Sequence, residues 1–334
     1  MGADCRWAAQ YGPFIRHTTQ GTDVTAETGA QAGAIPGAAA TDGGCDAQAQ
    51  VAQLWAYPVK SCAGVALRES LLIETGLDLD RAFMVVDGAG EFVTQREQPR
   101  LALVRPTVRL SDMILRAPGM LALHVSLQEV EQPTRVTVWG DRVAAYDLGA
   151  VAAQWFSDYL AQPGLRLVRF DPEQQPPRLS SRQWTGEDEA PNQFSDGYPV
   201  LVLSDASLHG LNQRLLAAGH AAVGIERFRP NLVLSGLEAH DEDRIDTLEI
   251  DTDDGPLTLR LVKPCPRCPM PNIDPATALA SPEVGDALQA YRADPRVDGA
   301  LSFGMNAIVT GLTDGRIERT LRVGQTVRVR YRWD

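Results

Sequence analysis

From Val51 onward, apolar and polar residues alternate in short runs broken by turn formers, the period-two signature of half-buried strands. VAQLWAY at 51–57, ALRESLLIE at 66–74, AFMVVD at 82–87 and ALVRPTVRL at 102–110 are predicted strands. LALHVSL at 121–127 and RVTVWG at 135–140 follow, and Asp141 turns the chain into RVAAYDL. The stretch 51–147 therefore reads as a mostly antiparallel barrel or sandwich. Helical spacing appears only afterwards. Val151, Trp155, Tyr159 and Leu160 predict a helix over 148–161 with Asp147 as its cap. Ser204 caps a second over 206–219, behind the buried-looking strand PVLVLS at 199–204, and Ser281 with Pro282 starts a third. Further strands are predicted near 231–235, 245–250, 257–263, 301–311 and 324–332. No βαβ alternation with a glycine-rich phosphate loop is present, so neither a Rossmann nor a P-loop fold is supported.

The predicted class is α+β, predominantly β. A β-barrel-like domain over 51–147 leads through a connecting helix and strand over 148–179 to a second β-barrel domain with a few helices over 180–331. Residues 1–50 stand apart: Ala, Gly and Thr make up 26 of the 50, with no sustained apolar period. They are expected to be a disordered or misassigned extension. Two arginines, Arg6 and Arg16, against five acids do not make a mitochondrial presequence, and Arg6 stands where a myristoylation signal wants Ser or Thr.

Composition narrows the partners. Lys and Arg total 31 against 43 Asp and Glu, a net charge of -12, so a surface that tracks phosphates is not expected and nucleic acid is not the expected partner. No apolar run approaches the ~20 residues of a membrane span, and no secretory signal opens the chain. The expected location is the cytoplasm. Only Lys60 and Lys263 are lysines, so the remaining cations are arginine. The two survivors are expected to mark places where a compact ammonium matters, the alternative being survival by chance.

Five cysteines, Cys5, Cys45, Cys62, Cys265 and Cys268, are too few and scattered for a disulfide framework. Two of them form KPCPRCPMPNIDP at 263–275. A Cys-x-x-Cys pair serves structural zinc, a redox dithiol or a single thiolate ligand, or it packs as two inert small side chains. Structural zinc wants four ligands, and no second pair is at hand. A redox dithiol wants its first cysteine at a helix N-terminus, which Pro264, Pro266, Pro269 and Pro271 oppose. A proline-stiffened loop suits one thiolate held rigidly at a pocket mouth, with Lys263 and Arg267 favouring its charged form. That describes a metal or a nucleophile site. Elsewhere, YPVKSCAG at 57–64 offers an ammonium, a hydroxyl and backbone donors, while Arg81 and the pair Arg229 and Asn231 begin strands. Each reads singly as a surface cation; together they can form a pocket for a doubly charged group.

Six segments in order, WAYPVKS, DRAFMVVD, VTQREQPRL, YPVLVLSDASL, RFRPNLVL and PCPRC followed by Asp274-Pro275, resemble the molybdenum-cofactor sulfurase C-terminal (MOSC) domain family. The likeness is to its two-domain branch, which includes the mitochondrial amidoxime-reducing components and bacterial N-hydroxylated-base reductases. It covers about 51–331. The resemblance implies a molybdenum cofactor (Mo-pyranopterin) with Cys268 as metal ligand and Cys265 in support. Lys60, Ser61, Arg81, Arg229 and Asn231 would hold the pterin and its phosphate, with Ser204, Ser207 and Arg267 beside them and Arg267 also at the reacting centre. Family-level pyridoxal phosphate binding comes with it. One departure is Ala278, where the family often has glycine.

The implied reaction is reduction of a small N-hydroxylated compound, RNHOH to RNH2 and water. With no further cysteines for an iron–sulfur cluster and no flavin fingerprint, electrons are expected from a separate redox protein. A sulfur carrier or cofactor-maturation protein with a persulfide on Cys268 is the alternative within the family. A non-enzymatic binding module with a structural CPRC loop is the alternative outside it.

Overall fold

The computed structural model describes residues 44–129, 132–310 and 318–333. Strands whose inward residues are Val, Leu and Ile bury one face and need a second sheet, or themselves, to cover it. Here the sheet curls until it closes. In barrel order the seven strands are Val200–Ser204, Leu232–Ser235, Ala47–Ala56, Thr326–Tyr331, Ile245–Thr252, Gly255–Pro266 and Ala300–Val309, and the last pairs back onto the first. All neighbours are antiparallel except Val200–Ser204 beside Leu232–Ser235. Leu248, Ile250, Leu257, Leu259, Leu261, Met305, Val327 and Val329 fill the interior.

The first strand belongs to this barrel. Ala47–Gln50 pair with Val329 through Thr326, so the unpacked extension expected up to residue 50 ends earlier, and residues 1–43 lie outside the described residues. Small alanines point inward there and leave little hydrophobic signal to read.

Residues 83–170 build a separate cluster. A four-stranded antiparallel sheet orders Phe83–Val86, Arg166–Phe170, Asp141–Asp147 and Gln132–Val138, and a three-stranded one orders Arg105–Val108, Asp112–Arg116 and Leu123–Ser126. Helix Gly149–Leu160 packs Phe156 and Tyr159 against Leu101, Met113 and Leu115. Asp147 serves its start: Oδ1 accepts from Gly149 N at 2.7 Å. The predicted strand 102–110 is a strand only from Arg105; Pro99–Leu103 is a 3-10 turn, with proline at its first position and Leu101 buried beneath. Strand Glu318–Arg322, paired with Glu69–Ile73, carries one core aliphatic, Leu321, and no readable alternation.

Candidate active site

DRAF places Arg81 at a tight turn before Phe83–Val86, with φ of +50°. Ser61 and Arg229 are left-handed too, at +66° and +57°. Three of the predicted cofactor residues thus sit in a backbone conformation that costs an L-residue ~1–2 kcal/mol. Such positions persist where the surroundings hold them and cluster at functional sites.

Arg81 and Arg229 converge on Tyr57. Their guanidinium carbons lie 4.4 and 4.2 Å from its ring centroid. Arg81 Nη1 donates to Asp80 Oδ2 at 2.5 Å and to Asn231 Oδ1 at 3.2 Å, and Nη2 donates to Arg229 O at 3.1 Å. Asp80 Oδ1 accepts from Tyr57 N, which fixes the turn from below. Arg229 Nη1 donates to Cys62 O at 2.7 Å. Its Nη2 and the Tyr57 hydroxyl are both shielded from solvent and bond nothing. Burial and the neighbouring Arg81 charge push the Arg229 guanidinium down to about 10, and burial raises the Tyr57 phenol above its usual range. Two like charges with one carboxylate between them and two unmet donors form a place an anionic group fits. Gly64 makes the close approach possible, since a Cβ there would stand 2.5 Å from Tyr57 Cε1.

The segment from Ile225 to Asn231 joins this cluster to the cysteine loop. Arg267 Nη2 donates to Phe228 O at 2.9 Å, and Arg227 Nη1 donates to Pro271 O at 3.1 Å. Cys268 is exposed on that loop and Cys265 half-buried. Arg267 Nη1 reaches the first sulfur, Cys265 Sγ, at 3.1 Å, so the cation between the cysteines leaves the second open. Among the described residues no three His, Cys, Asp or Glu side chains converge as a ligand set. Cys268 therefore presents one sulfur rather than a cage, and a soft ligand of that kind suits a redox metal.

Ala278 adopts φ of +60° and its N–H donates to Asp274 O at 2.7 Å, so the loop keeps a glycine-like turn with alanine in it. Ala278→Gly is expected to raise stability by about 1 kcal/mol, read as a higher urea midpoint.

The other predicted residues are placed differently. Lys60 is buried, and its ammonium pairs with Asp196 and donates to Phe194 O at 2.8 Å. Burial holds its pKa below the usual lysine value even though Asp196 pulls the other way. It is not a free point charge, because a buried ammonium requires a partner. Trp139 Nε1 shares that carboxylate at 2.9 Å. A surface cleft lined by Asp87, Glu91, Phe92, Arg96 and Trp139 adjoins from the other side and takes in none of the predicted site residues.

Asn231 is fully engaged within the barrel, accepting from Leu201 N at 3.1 Å and donating to Trp55 O at 3.2 Å. Ser204 and Ser207 are buried and turned to structure. Ser204 Oγ accepts from Ser207 N, capping helix Asp205–Ala217, and donates to Glu242 Oε2 at 2.9 Å; Ser207 Oγ accepts from His240 N at 2.8 Å. Ser204 lies three residues along its strand from Leu201, roughly 10 Å from the end where Asn231 sits.

Burial, with the charges of Arg292 and Arg214, pushes His240 down to about 4. An unfolded histidine titrates near 6.5, so the unfolded chain binds more protons between those values. Stability from this group is therefore complete above about 6.5 and declines as pH falls toward 4. His240→Phe is expected to lose less stability than the parent between pH 7.5 and 5, measured as the difference of urea midpoints.

Sequence reasoning missed Tyr57, Asp80 and Asp196. Tyr57 and Asp80 are the opening residues of the YPVKS and DRAF motifs, the one signal that was available; Asp196 carries none.

Known proteins supply the context. Residues 48–163 match the MOSC N-terminal beta barrel domain and 189–328 the MOSC domain. Mitochondrial amidoxime reducing component 2 of Rattus norvegicus is 35% identical over 258 residues, 74% of this chain and 74% of that protein. Mitochondrial amidoxime-reducing component 1 of Homo sapiens is 35% identical, covering 72% of each. Molybdenum cofactor sulfurase of Homo sapiens is 28% identical over 76% of this chain but only 29% of its own length. Among the described residues no helix is long and apolar enough to cross a membrane. With both domain models matched in order and relatives of this identity along most of its length, the chain belongs to the MOSC family, in its two-domain form.

Proposed function

We propose that this protein reduces N-hydroxylated compounds, RNHOH + 2 e− + 2 H+ → RNH2 + H2O, using a molybdenum cofactor and electrons from a separate redox protein. The relatives named amidoxime reducing components support that activity. One observation carries the cofactor reading: the segment through Phe228 and Arg229 binds the cysteine loop on one side and the Arg81–Tyr57 cluster, with its unmet donors, on the other.

In this reading Cys268 supplies the thiolate, and Arg229, Arg81 and the Tyr57 hydroxyl hold the anionic end of the pterin. The bound cofactor supplies two-electron chemistry at the N–O bond. Arg267 fixes the loop by gripping Phe228 O and Cys265 Sγ together. Lys60, through Asp196 and Phe194, braces the turn that carries Ser61. The net charge of -12 favours a donor protein with a basic docking patch, and steering of this kind weakens as salt rises.

Metal and pterin analysis of purified protein tests the proposal. About one molybdenum per chain is expected, absent from Cys268→Ala and retained by Cys45→Ala, with turnover of a hydroxylamine using a chemical reductant. Persulfide on Cys268 without turnover would establish the sulfur carrier instead, and protein free of molybdenum would end the cofactor reading.

A further inference from the structure

Lys263, unlike Lys60, has no carboxylate within ion-pair distance among the described residues. It stands on strand Gly255–Pro266 two residues ahead of Cys265, where the register shifts between Leu261 and Lys263. Its ammonium lies 5.5 Å from the Trp184 ring centroid and 5.8 Å from that of Tyr198. Trp184 comes from the short helix Arg182–Thr185, which Arg260 pins to the same strand through Thr185 O. Both rings pack on Val262 and Ile308. The Tyr198 hydroxyl is shielded and bonds nothing, and burial pushes it up to about 12, so it stays a donor at neutral pH.

One wall beside the cysteine strand thus holds a half-buried cation flanked by two aromatic rings, one of them a phenol, and among the described residues neither donor has an acceptor. Aromatic faces steady an exposed ammonium less than a hydrogen-bonded carboxylate does. A flat anion would give the ammonium a charged acceptor and a ring to stack on.

We infer that Lys263, Tyr198 and Trp184 form a subsite for planar aromatic carboxylates, with Lys263 taking the carboxylate and Trp184 the ring. Read together with the proposed reductase activity, the subsite selects N-hydroxylated arenes that carry a ring carboxylate.

The scarcity of lysine makes the test direct. Amine-directed acetylation followed by peptide mapping reads Lys263 as the accessible lysine, since Lys60 is buried and paired. Benzoate at millimolar concentration is expected to slow acetylation of Lys263 several-fold, and benzyl alcohol to leave it unchanged. Calorimetric titration of benzoate should weaken about tenfold or more in Lys263→Met and largely recover in Lys263→Arg, with circular dichroism confirming the fold. An acetylation rate indifferent to benzoate, or equal benzoate binding by parent and Lys263→Met, overturns the subsite.

These two arms need no metal, so they decide the subsite even if the chain proves free of molybdenum. In active enzyme, the ratio of kcat/KM for a carboxylated over a neutral N-hydroxylated arene should exceed one in the parent and collapse in Lys263→Met. An unchanged ratio would confine the subsite to a role outside substrate choice and overturn that part.

Discussion

On the proposed cofactor reading, Arg229→Met is expected to yield a folded protein that no longer retains the anionic molybdenum cofactor. Arg229 gives one nitrogen to the Cys62 carbonyl and holds a second, shielded nitrogen with no partner among the described residues. Removing a charged donor from a desolvated pair costs about 2–5 kcal/mol of binding, so retention should fall roughly 100-fold. Stability should move much less, because the lost bond to Cys62 is offset by relief from the adjacent Arg81 charge and by removal of a buried guanidinium that is costly to desolvate. Molybdenum and pterin content after gel filtration, beside the thermal midpoint of the same sample, separates the two effects. A variant that keeps its full metal complement through the column would remove Arg229 from the site.

The second large effect is expected at Gly304→Ala. Gly304 has φ of +82° within strand Ala300–Val309, where that strand meets Val200–Ser204 and completes the barrel. An added Cβ would lie 2.8 Å from the Val202 carbonyl oxygen and 2.8 Å from Leu203 Cδ1. Backbone strain of ~1–2 kcal/mol and a contact that backbone cannot relieve together suggest about 3 kcal/mol or more, a fall in Tm on the order of 5–10 °C. Gly324→Ala is the control: its φ of +95° is equally strained, but nothing lies within 4 Å of the new atom. It should lose about a third as much. Equal losses in the two variants would show that strain alone, not barrel closure, sets the cost.

Much of the architecture was written in local pattern. The strands of the second domain and the helices Gly149–Leu160 and Asp205–Ala217 follow apolar period and capping residues, and DRAF, RFRPN and CPRC marked the turns that gather the site. What stayed hidden depends on partners far along the chain. Ser204 reads as a cap, and it is one, but its burial against Glu242 is a contact across 38 residues. Lys60 reads as a free ammonium until Asp196, 136 residues away, closes on it. Tyr57 looks like any strand aromatic, and only the meeting of Arg81 with Arg229 gives it a role. Left-handed Ser61, Arg81 and Arg229 are invisible for a further reason: nothing in a serine or an arginine announces a positive φ.

Strand Ala47–Ala56 lies hydrogen-bonded between Leu232–Ser235 and Thr326–Tyr331. Some 270 residues separate its end from the start of its last neighbour, so on the ribosome it must wait for that partner. The enclosed interior can then form only once Thr326–Tyr331 has been made, and contacts of such long range are slow to nucleate. A chain arrested before Thr326–Tyr331 leaves an early, unpaired edge exposed to other chains.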